Sequence, residues 1–276
     1  MQGRIISFEE RRAVALEILR YINKICRENN IQYTLFSGTA LGAIRHGGFI
    51  PWDDDIDIAL LAPEYARLIA ILSKDDRYRL LLPGNGKYNR FFAKLCDKNS
   101  YVLQNNYHDI EELGIWVDIF PLNNAGDSLI EAQKFARNCQ KQDKKFVDFV
   151  GAKHYYQASR KSYGLIKLPL YFMPAQLYRA AWQRNKGKVL EFMQSKNSQP
   201  TQFVSSNTAC AGCEVFEKDL FEHLVEVPFE DGSYLIVRDF DRLLSVKYGD
   251  YMTLPPERER VSHHLGQYLW RESVAN

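Results

Sequence analysis

The chain has 276 residues, 46% hydrophobic and 25% charged, and its 36 basic and 34 acidic residues give a formal net charge of +2. This length allows a substantial core in one or two domains, and such a small net charge identifies no partner. The chain lacks a run of about 18 apolar residues, which argues against a transmembrane helix. The start, MQGRIISFEERR, has no signal-peptide core. With five cysteines, an odd number that fits a reducing compartment, these features predict a cytoplasmic protein.

The chain begins with a pattern of helix, strand and helix. Ser7 followed by Glu10 forms the pattern of a capping box, and the apolar stripe after it predicts a helix up to Asn29-Asn30. The segment IQYTLFSG at 31–38 predicts a strand that ends in a turn, and TALGAIRHGG at 39–48 predicts a short helix closed by two glycines.

The next segments mix one more helix with several short strands. A strand is predicted over 55–60, and Pro63 opens a helix to about Ser73. Further strands are predicted over 78–82, 91–96, 101–104 and 115–121. Helices mixed with short strands over the first 125 residues predict a compact core of the α+β or α/β class, and we expect α+β.

The second half of the chain has a different pattern. From residue 128 to about 194 it is mostly helical, and the last segment contains a strand at 234–240, a short helix and an irregular tail from Leu254. We expect three parts, which are a catalytic core over 1–125, a mainly helical basic segment over 126–200, and a C-terminal segment over 201–276 that completes the core and the active site.

The stretch FIPWDDDIDIAL at 49–60 places four aspartates directly before an apolar run. In an extended chain side chains alternate between two faces, so Asp53, Asp55 and Asp57 share one face while Asp54 points away from them. Three carboxylates this close repel one another unless a cation or protons neutralise them. An all-oxygen set suits a hard divalent cation such as Mg²⁺. The sequence therefore predicts a metal site, and we expect no catalytic role for Asp54.

Two other interpretations of the aspartates compete with this metal site. An EF-hand loop starting at Asp53 is excluded because its sixth position, which requires glycine for a sharp turn, is Ile58. A solvated acidic turn stays open, although two features count against it. The small-residue turn Ser37-Gly38-Thr39 offers backbone N–H groups that can cradle a phosphate. Asp118 lies in an apolar strand, where a carboxylate needs a partner.

The segments FSGTALGAIRHGGFIPWDDDIDIAL, FFAKLCDKNS, WVDIFPLN and KYGDYMTLPPERERVSHH resemble, in order, those of the LicD family, which includes the fukutin-type phosphotransferases. The resemblance extends over roughly residues 8–270. It implies a nucleotidyltransferase-like mixed sheet flanked by helices, here with a basic helical insertion. It also implies a Ser37-Gly38 turn, an Asp55 and Asp57 pair, and Asp118 as the third carboxylate. Asp53 matches the first acidic position of the fukutin-type triplet.

The resemblance also implies an activity. Members of the family transfer a phosphoryl-linked group from a CDP-activated donor to a sugar hydroxyl and release CMP. The transfer of phosphocholine from CDP-choline to a teichoic acid or lipopolysaccharide is the form expected here. Asp55, Asp57 and Asp118 would be catalytic, and with Asp53 they would hold Mg²⁺ or Mn²⁺. Asp118 is also our candidate for the base that accepts the proton of the hydroxyl. A true nucleotidyltransferase that releases pyrophosphate and a non-catalytic, membrane-associated glycan-assembly protein remain as alternatives.

Several basic residues are candidates for contact with the donor phosphates. Lys94, among apolar neighbours, needs an anion or a route to water, so it either contacts phosphate or is a snorkelling lysine on an edge strand. Arg45 and His46 either contact phosphate or lie at a solvated helix end. Pro255-Pro256 can fold the basic tail back over the site, with a charged C-terminal loop as the alternative. The predicted substrate-binding residues are Ser37, Gly38, Thr39, Arg45, His46, Lys94, Arg260, His263 and His264.

Two further features bear on bound groups. Trp52 and Trp116 adjoin proposed catalytic aspartates, and aromatic faces hold quaternary ammonium groups, but we favour core packing for Trp52. Cys210-Ala-Gly-Cys213 is a lone CxxC, and because zinc needs two more ligands we favour a reduced turn over structural zinc.

The segment from Phe149 to Leu190 is strongly basic. It contains eight basic residues, no acidic residue and many aromatic residues. This composition suits the headgroup region of an anionic membrane, where a lipid-linked acceptor glycan would be built. The segment therefore predicts a peripheral membrane protein at the cytoplasmic face, with an ordinary helical subdomain as the alternative. Nucleic acid is not expected, because no binding motif accompanies the charge.

Overall fold

The computed structural model describes residues 3–83, 88, 90–103, 113–139, 141, 184, 187, 200–206, 214–262 and 266–271. Several predictions concern residues outside these ranges. They are the basic segment at 149–190 except for residues 184 and 187, the two cysteines of the CxxC motif, His263 and His264.

The helices of the described residues begin and end at clear local signals. They are α1 (Phe8–Glu28), α2 (Ser37–His46), α3 (Ala62–Leu72), α4, which begins at residue 129 and is described to residue 139, and α5 (Phe240–Tyr248). The predicted capping box of α1 is confirmed, because the Ser7 hydroxyl and the Glu10 carboxylate each accept a hydrogen bond from the other residue's backbone N–H. Helix α2 ends where Gly47 adopts a left-handed conformation, with φ of 69°, that favours glycine.

The described strands form one large sheet and two smaller ones. They are β1 (Thr34–Leu35), β2 (Asp57–Leu61), β3 (Arg79–Leu81), β4 (Ala93–Cys96), β5 (Ser100–Leu103), β6 (Trp116–Gly126), β7 (Phe203–Ser205), β8 (Val215–Glu217), β9 (Leu224–Phe229), β10 (Gly232–Val237) and β11 (Gln267–Trp270). The large sheet has the order β1-β2-β6-β4-β3, and its β2–β6 pair is parallel. Strand β7 also pairs with β6, and β8 pairs with β7. Two antiparallel pairs, β9–β10 and β5–β11, stand apart.

Four strand predictions differ from the structure. The strand predicted over 31–38 is only β1, because α2 already begins at Ser37. The strand predicted over 55–60 begins at Asp57, and the segment before it is held by Arg12 of α1, whose guanidinium donates to the carbonyls of Ile50 and Asp53. Strand β6 continues to Gly126, because its second half pairs with β7. The strand predicted over 234–240 is β10, which ends at Val237 because α5 begins at Phe240, and no strand was predicted where β7, β8, β9 and β11 lie.

The core lies around the large sheet and α1. Ile58 and Ile119 on the paired central strands and Ile18 of α1 are completely buried. This mixed sheet flanked by helices confirms the α+β class. Across the described ranges, no helix is long and apolar enough to cross a membrane.

Candidate active site

Three of the predicted aspartates meet at the start of the parallel β2–β6 pair. Asp57 is the first residue of β2, and its Cα partner on β6 is Asp118, so the two side chains lie on one face of adjacent strands. Asp55 approaches from the segment before β2. One carboxylate oxygen of each of Asp55, Asp57 and Asp118 lies within 4.8 Å of the others. We call these three residues the carboxylate triad.

The triad consists of three carboxylates, so its members repel one another when they are ionised. Burial raises the pKa of Asp57 well above its ordinary value, and the charges of Asp55 and Asp118 raise it further. A divalent cation would remove this repulsion, and carboxylate oxygens are the ligands that Mg²⁺ and Mn²⁺ prefer. The donor set of the triad therefore fits such an ion.

Asp53 lies beside Asp55 but is not one of the three residues whose carboxylate oxygens come within 4.8 Å of one another, so its role as a fourth metal ligand stays a prediction. Strict alternation places neither Asp53 nor Asp55, because β2 begins only at Asp57. The Asp53 carboxylate lies against Gly38, where an added Cβ atom would be 2.7 Å from Oδ2. Burial and the neighbouring carboxylate of Asp55 raise the pKa of Asp53 to about 9.

Lys94 forms a buried ion pair with the triad. It lies on β4, between β3 and β6, and its Cα partner on β6 is Asp118. Its Nζ is 2.5 Å from Asp118 Oδ1, and their side chains are 2% and 8% exposed. Trp116 Nε1 donates to the other oxygen of Asp118 over 3.2 Å. The alternative of a snorkelling edge lysine is therefore wrong, because β4 is an inner strand and the ammonium is buried against a carboxylate.

The segment Ser37-Gly38-Thr39 forms the first turn of α2, directly beside the triad. Ser37 has a φ of 49°, a left-handed conformation that is uncommon outside glycine. The Thr39 hydroxyl accepts a hydrogen bond of 2.8 Å from Asp57 N, and Phe36 N donates to the Asp57 carbonyl over 3.0 Å. These bonds fix the start of α2 to the start of β2, so the predicted phosphate cradle lies beside the predicted metal ligands.

Sequence reasoning missed Lys247, which lies on α5. Its ammonium donates to Ser37 Oγ over 2.6 Å and forms an ion pair with the buried carboxylate of Glu214. Glu214 also accepts a hydrogen bond from the Ser206 hydroxyl. The only sequence signal for Lys247 is its position in the segment KYGDYM, since 210 residues separate it from Ser37 and no local pattern joins them.

The Asp54 side chain contacts residues outside the triad, as alternation predicted. Its buried carboxylate forms an ion pair with Arg11 of α1 and accepts a 3.2 Å hydrogen bond from Ser262 Oγ. The C-terminal segment thus returns to the aspartate stretch. Asp54 joins this segment and α1 to the loop before β2, which is a structural role.

The other predicted binding residues lie around this returning segment. Arg45 donates to the Tyr251 carbonyl over 2.9 Å and to His46 Nε2 over 3.0 Å. Burial, and then the charge of Arg45, lower the pKa of His46. The Arg260 guanidinium donates to the Pro255 carbonyl and lies 5.7 Å from the centre of the Trp52 ring. These residues join α2 to the C-terminal segment, and their direct contact with substrate stays a prediction.

The two tryptophans have structural surroundings. Trp116 is 3% exposed, donates to Asp118, and has the Lys94 ammonium 4.0 Å from its ring centre. Trp52 is partly buried and packs against the core, as its prediction favoured. The ring of Trp116 is therefore closed to a choline group.

Several known proteins are similar in sequence to this chain. Residues 30–162 match the family model described as LicD/FKTN/FKRP, nucleotidyltransferase domain. The chain is 24% identical over 265 residues to the lipopolysaccharide cholinephosphotransferase LicD of Haemophilus influenzae, which covers 94% of this chain and 97% of that one. It is 41% identical over 44 residues to human ribitol 5-phosphate transferase FKRP, 16% of this chain and 9% of that one. An uncharacterised Rickettsia typhi protein is 43% identical over 87 residues, 30% of this chain and 26% of that one.

A mixed sheet with a carboxylate triad at its parallel pair, together with these matches, defines a phosphotransferase with a nucleotidyltransferase-type domain. Residues 30–162 carry a LicD-family domain, which confirms the resemblance in the motifs of this chain.

Proposed function

We propose that this enzyme transfers a phospho-alcohol group from a CDP-activated donor to a sugar hydroxyl of a cell-surface glycan, such as lipopolysaccharide or teichoic acid, and releases CMP. Phosphocholine is our first choice of group, because the relative named as a lipopolysaccharide cholinephosphotransferase spans nearly the whole chain, whereas the ribitol 5-phosphate transferase match covers 44 residues. The observation that carries the proposal is the carboxylate triad beside the first turn of α2.

In this proposal Asp55, Asp57 and Asp118 hold Mg²⁺, or Mn²⁺ in its place. When bound there, the ion would neutralise the diphosphate of the donor and stabilise the charge on the departing CMP. Lys94 and Trp116 fix both oxygens of Asp118. Because these contacts leave Asp118 buried and oriented, they favour a ligand role over the base role that its sequence position suggested.

The transfer itself exchanges two bonds at one phosphorus atom. The hydroxyl oxygen of the acceptor forms a bond to the phosphorus that carries the alcohol, and the bond from that phosphorus to the bridging oxygen breaks. The bridging oxygen leaves with CMP, and the proton of the hydroxyl passes to a base. Ser37, Gly38 and Thr39 would orient the diphosphate at the start of α2, where an anion is favoured.

A donor screen tests the proposal. The enzyme is incubated with CDP-choline, CDP-ribitol or CDP-glycerol, with lipopolysaccharide or teichoic acid as acceptor, in Mg²⁺ or in EDTA. We expect CMP release and a matching mass increase of the acceptor with CDP-choline, and neither in EDTA. Pyrophosphate release from a nucleoside triphosphate, without CMP release, would instead favour the true nucleotidyltransferase. The absence of Mg²⁺ and CDP-donor binding in calorimetry would favour a non-catalytic assembly protein.

We also propose an anionic membrane surface as a partner, on the basis of the basic, aromatic-rich composition of residues 149–190. The protein is expected to float with liposomes that contain anionic lipid and to remain at the bottom of the gradient with neutral liposomes. Equal behaviour with both lipids would contradict this part of the proposal.

A further inference from the structure

The ammonium of Lys247 is a positive charge beside the first turn of α2, next to the candidate site. Its side chain is 15% exposed, compared with 2% for Lys94. Two of its three possible hydrogen bonds go to Ser37 Oγ and to Glu214. It also lies 5.0 Å from the centre of the Phe36 ring. Lys94 is closed in by the sheet, whereas Lys247 remains accessible to a ligand.

The contacts of Ser37 place Lys247 beside the triad. Ser37 lies between Phe36, whose N–H donates to the Asp57 carbonyl, and Thr39, whose hydroxyl accepts from Asp57 N. The lysine is therefore close enough to act on the same ligand as the triad.

Glu214 holds the Lys247 ammonium in place. Its carboxylate is buried, with the side chain 7% exposed, and it contacts both Lys247 and the Ser206 hydroxyl. The Lys247 side chain is thereby fixed over Ser37. Because a buried carboxylate neutralises the ammonium, a second anion that arrives at Lys247 has to share its charge with Glu214.

We propose that Lys247 binds the diphosphate of the donor, together with the Ser37 hydroxyl, and that Glu214 positions and neutralises Lys247 when no donor is bound. This inference rests on the proposed function, because it assigns a residue to the diphosphate group of that donor. Carboxylates outnumber lysines around this site, so the diphosphate is expected to bind only when Mg²⁺ is also present.

The test uses inorganic pyrophosphate as the probe, because it carries the diphosphate group without a nucleoside or an alcohol. Its binding is measured by calorimetry in Mg²⁺. Lys247→Met is expected to weaken binding about 10- to 100-fold, the effect of losing a charge-assisted hydrogen bond. Glu214→Gln is expected to tighten binding, since it removes the competing charge and keeps a hydrogen-bonding group. Lys24→Met is the control, because Lys24 is 70% exposed on α1.

A double variant separates ligand binding from folding. Lys247→Met alone leaves Glu214 buried without its cation, so a loss of binding accompanies a loss of stability. Lys247→Met/Glu214→Gln removes the unpaired charge, and we expect it to regain thermal stability while pyrophosphate binding stays weak. Recovery of wild-type binding in the double variant would overturn the inference, as would a wild-type enzyme that does not bind pyrophosphate in Mg²⁺.

The donor screen distinguishes failure of this inference from failure of the proposed function. If pyrophosphate binding depends on Lys247 but no CDP-alcohol yields CMP, the diphosphate assignment stands and the proposed donor is wrong. If the wild type releases CMP and the double variant keeps the same KM for the donor, the function stands and the role of Lys247 is wrong.

Discussion

Asp57→Asn is expected to lower CMP release by at least about 100-fold while the protein stays folded. The substitution keeps the shape of the side chain but removes the charge that would hold a divalent cation. The pKa of Asp57 is raised because burial and the neighbouring carboxylates disfavour its charged form. The metal-free variant should therefore be more stable than the metal-free wild type, with a melting temperature a few degrees higher.

Thermal unfolding in EDTA and in saturating Mg²⁺ checks this expectation. Mg²⁺ at 100 times its dissociation constant would stabilise the wild type by about 2.7 kcal/mol, and Asp57→Asn should lose most of that gain. Asp76→Asn is the matched control, because the Asp76 side chain is fully exposed and should behave like the wild type in both conditions. A folded Asp57→Asn enzyme with full activity would rule out the metal site.

Lys94→Met is expected to destabilise the metal-free protein by about 3–5 kcal/mol, because it leaves the buried carboxylate of Asp118 without its cation. The matched control is Lys218→Met, which breaks an exposed ion pair with Glu222 in an i,i+4 arrangement. That change should cost less than about 1 kcal/mol. Urea denaturation in EDTA measures both variants.

Two further measurements separate the contribution of Lys94 to folding from its contribution to the site. Mg²⁺ should restore part of the stability of Lys94→Met, because the ion supplies Asp118 with a positive charge in place of the lost ammonium. Lys94→Met/Asp118→Asn should be more stable than Lys94→Met in EDTA and yet inactive, because a metal ligand is lost. If Lys94→Met has the same urea midpoint of unfolding as the wild type and binds Mg²⁺ with the same affinity, the ion pair does not support the triad.

Much of the fold follows from local patterns. The capping box at Ser7 and Glu10, the glycine at the end of α2 and the proline in the first turn of α3 each specify a helix boundary with a few neighbouring residues. Strand boundaries were less accurate. The ends of a strand depend on its partners, as in β6, whose second half pairs with β7 more than 70 residues along the chain.

The aspartates show the same division between what local patterns predict and what distant contacts decide. Alternation correctly separated Asp54, which pairs with Arg11, from Asp55 and Asp57, which face Asp118. It also grouped Asp53 with them as a metal ligand, and that part stays a prediction, because the period of two applies only where the chain is extended and the strand begins at Asp57.

The sequence by itself determined the chemistry available at this site and the family that its motifs resemble, because both depend on residue types at short spacings. Tertiary structure alone decided which charges meet. The register of β2, β6 and β4 aligns Asp57, Asp118 and Lys94 in one row, and the packing of α5 brings Lys247 to Ser37. Backbone periodicity sets local patterns within a few residues, whereas register and helix packing depend on contacts between residues that are far apart in the chain.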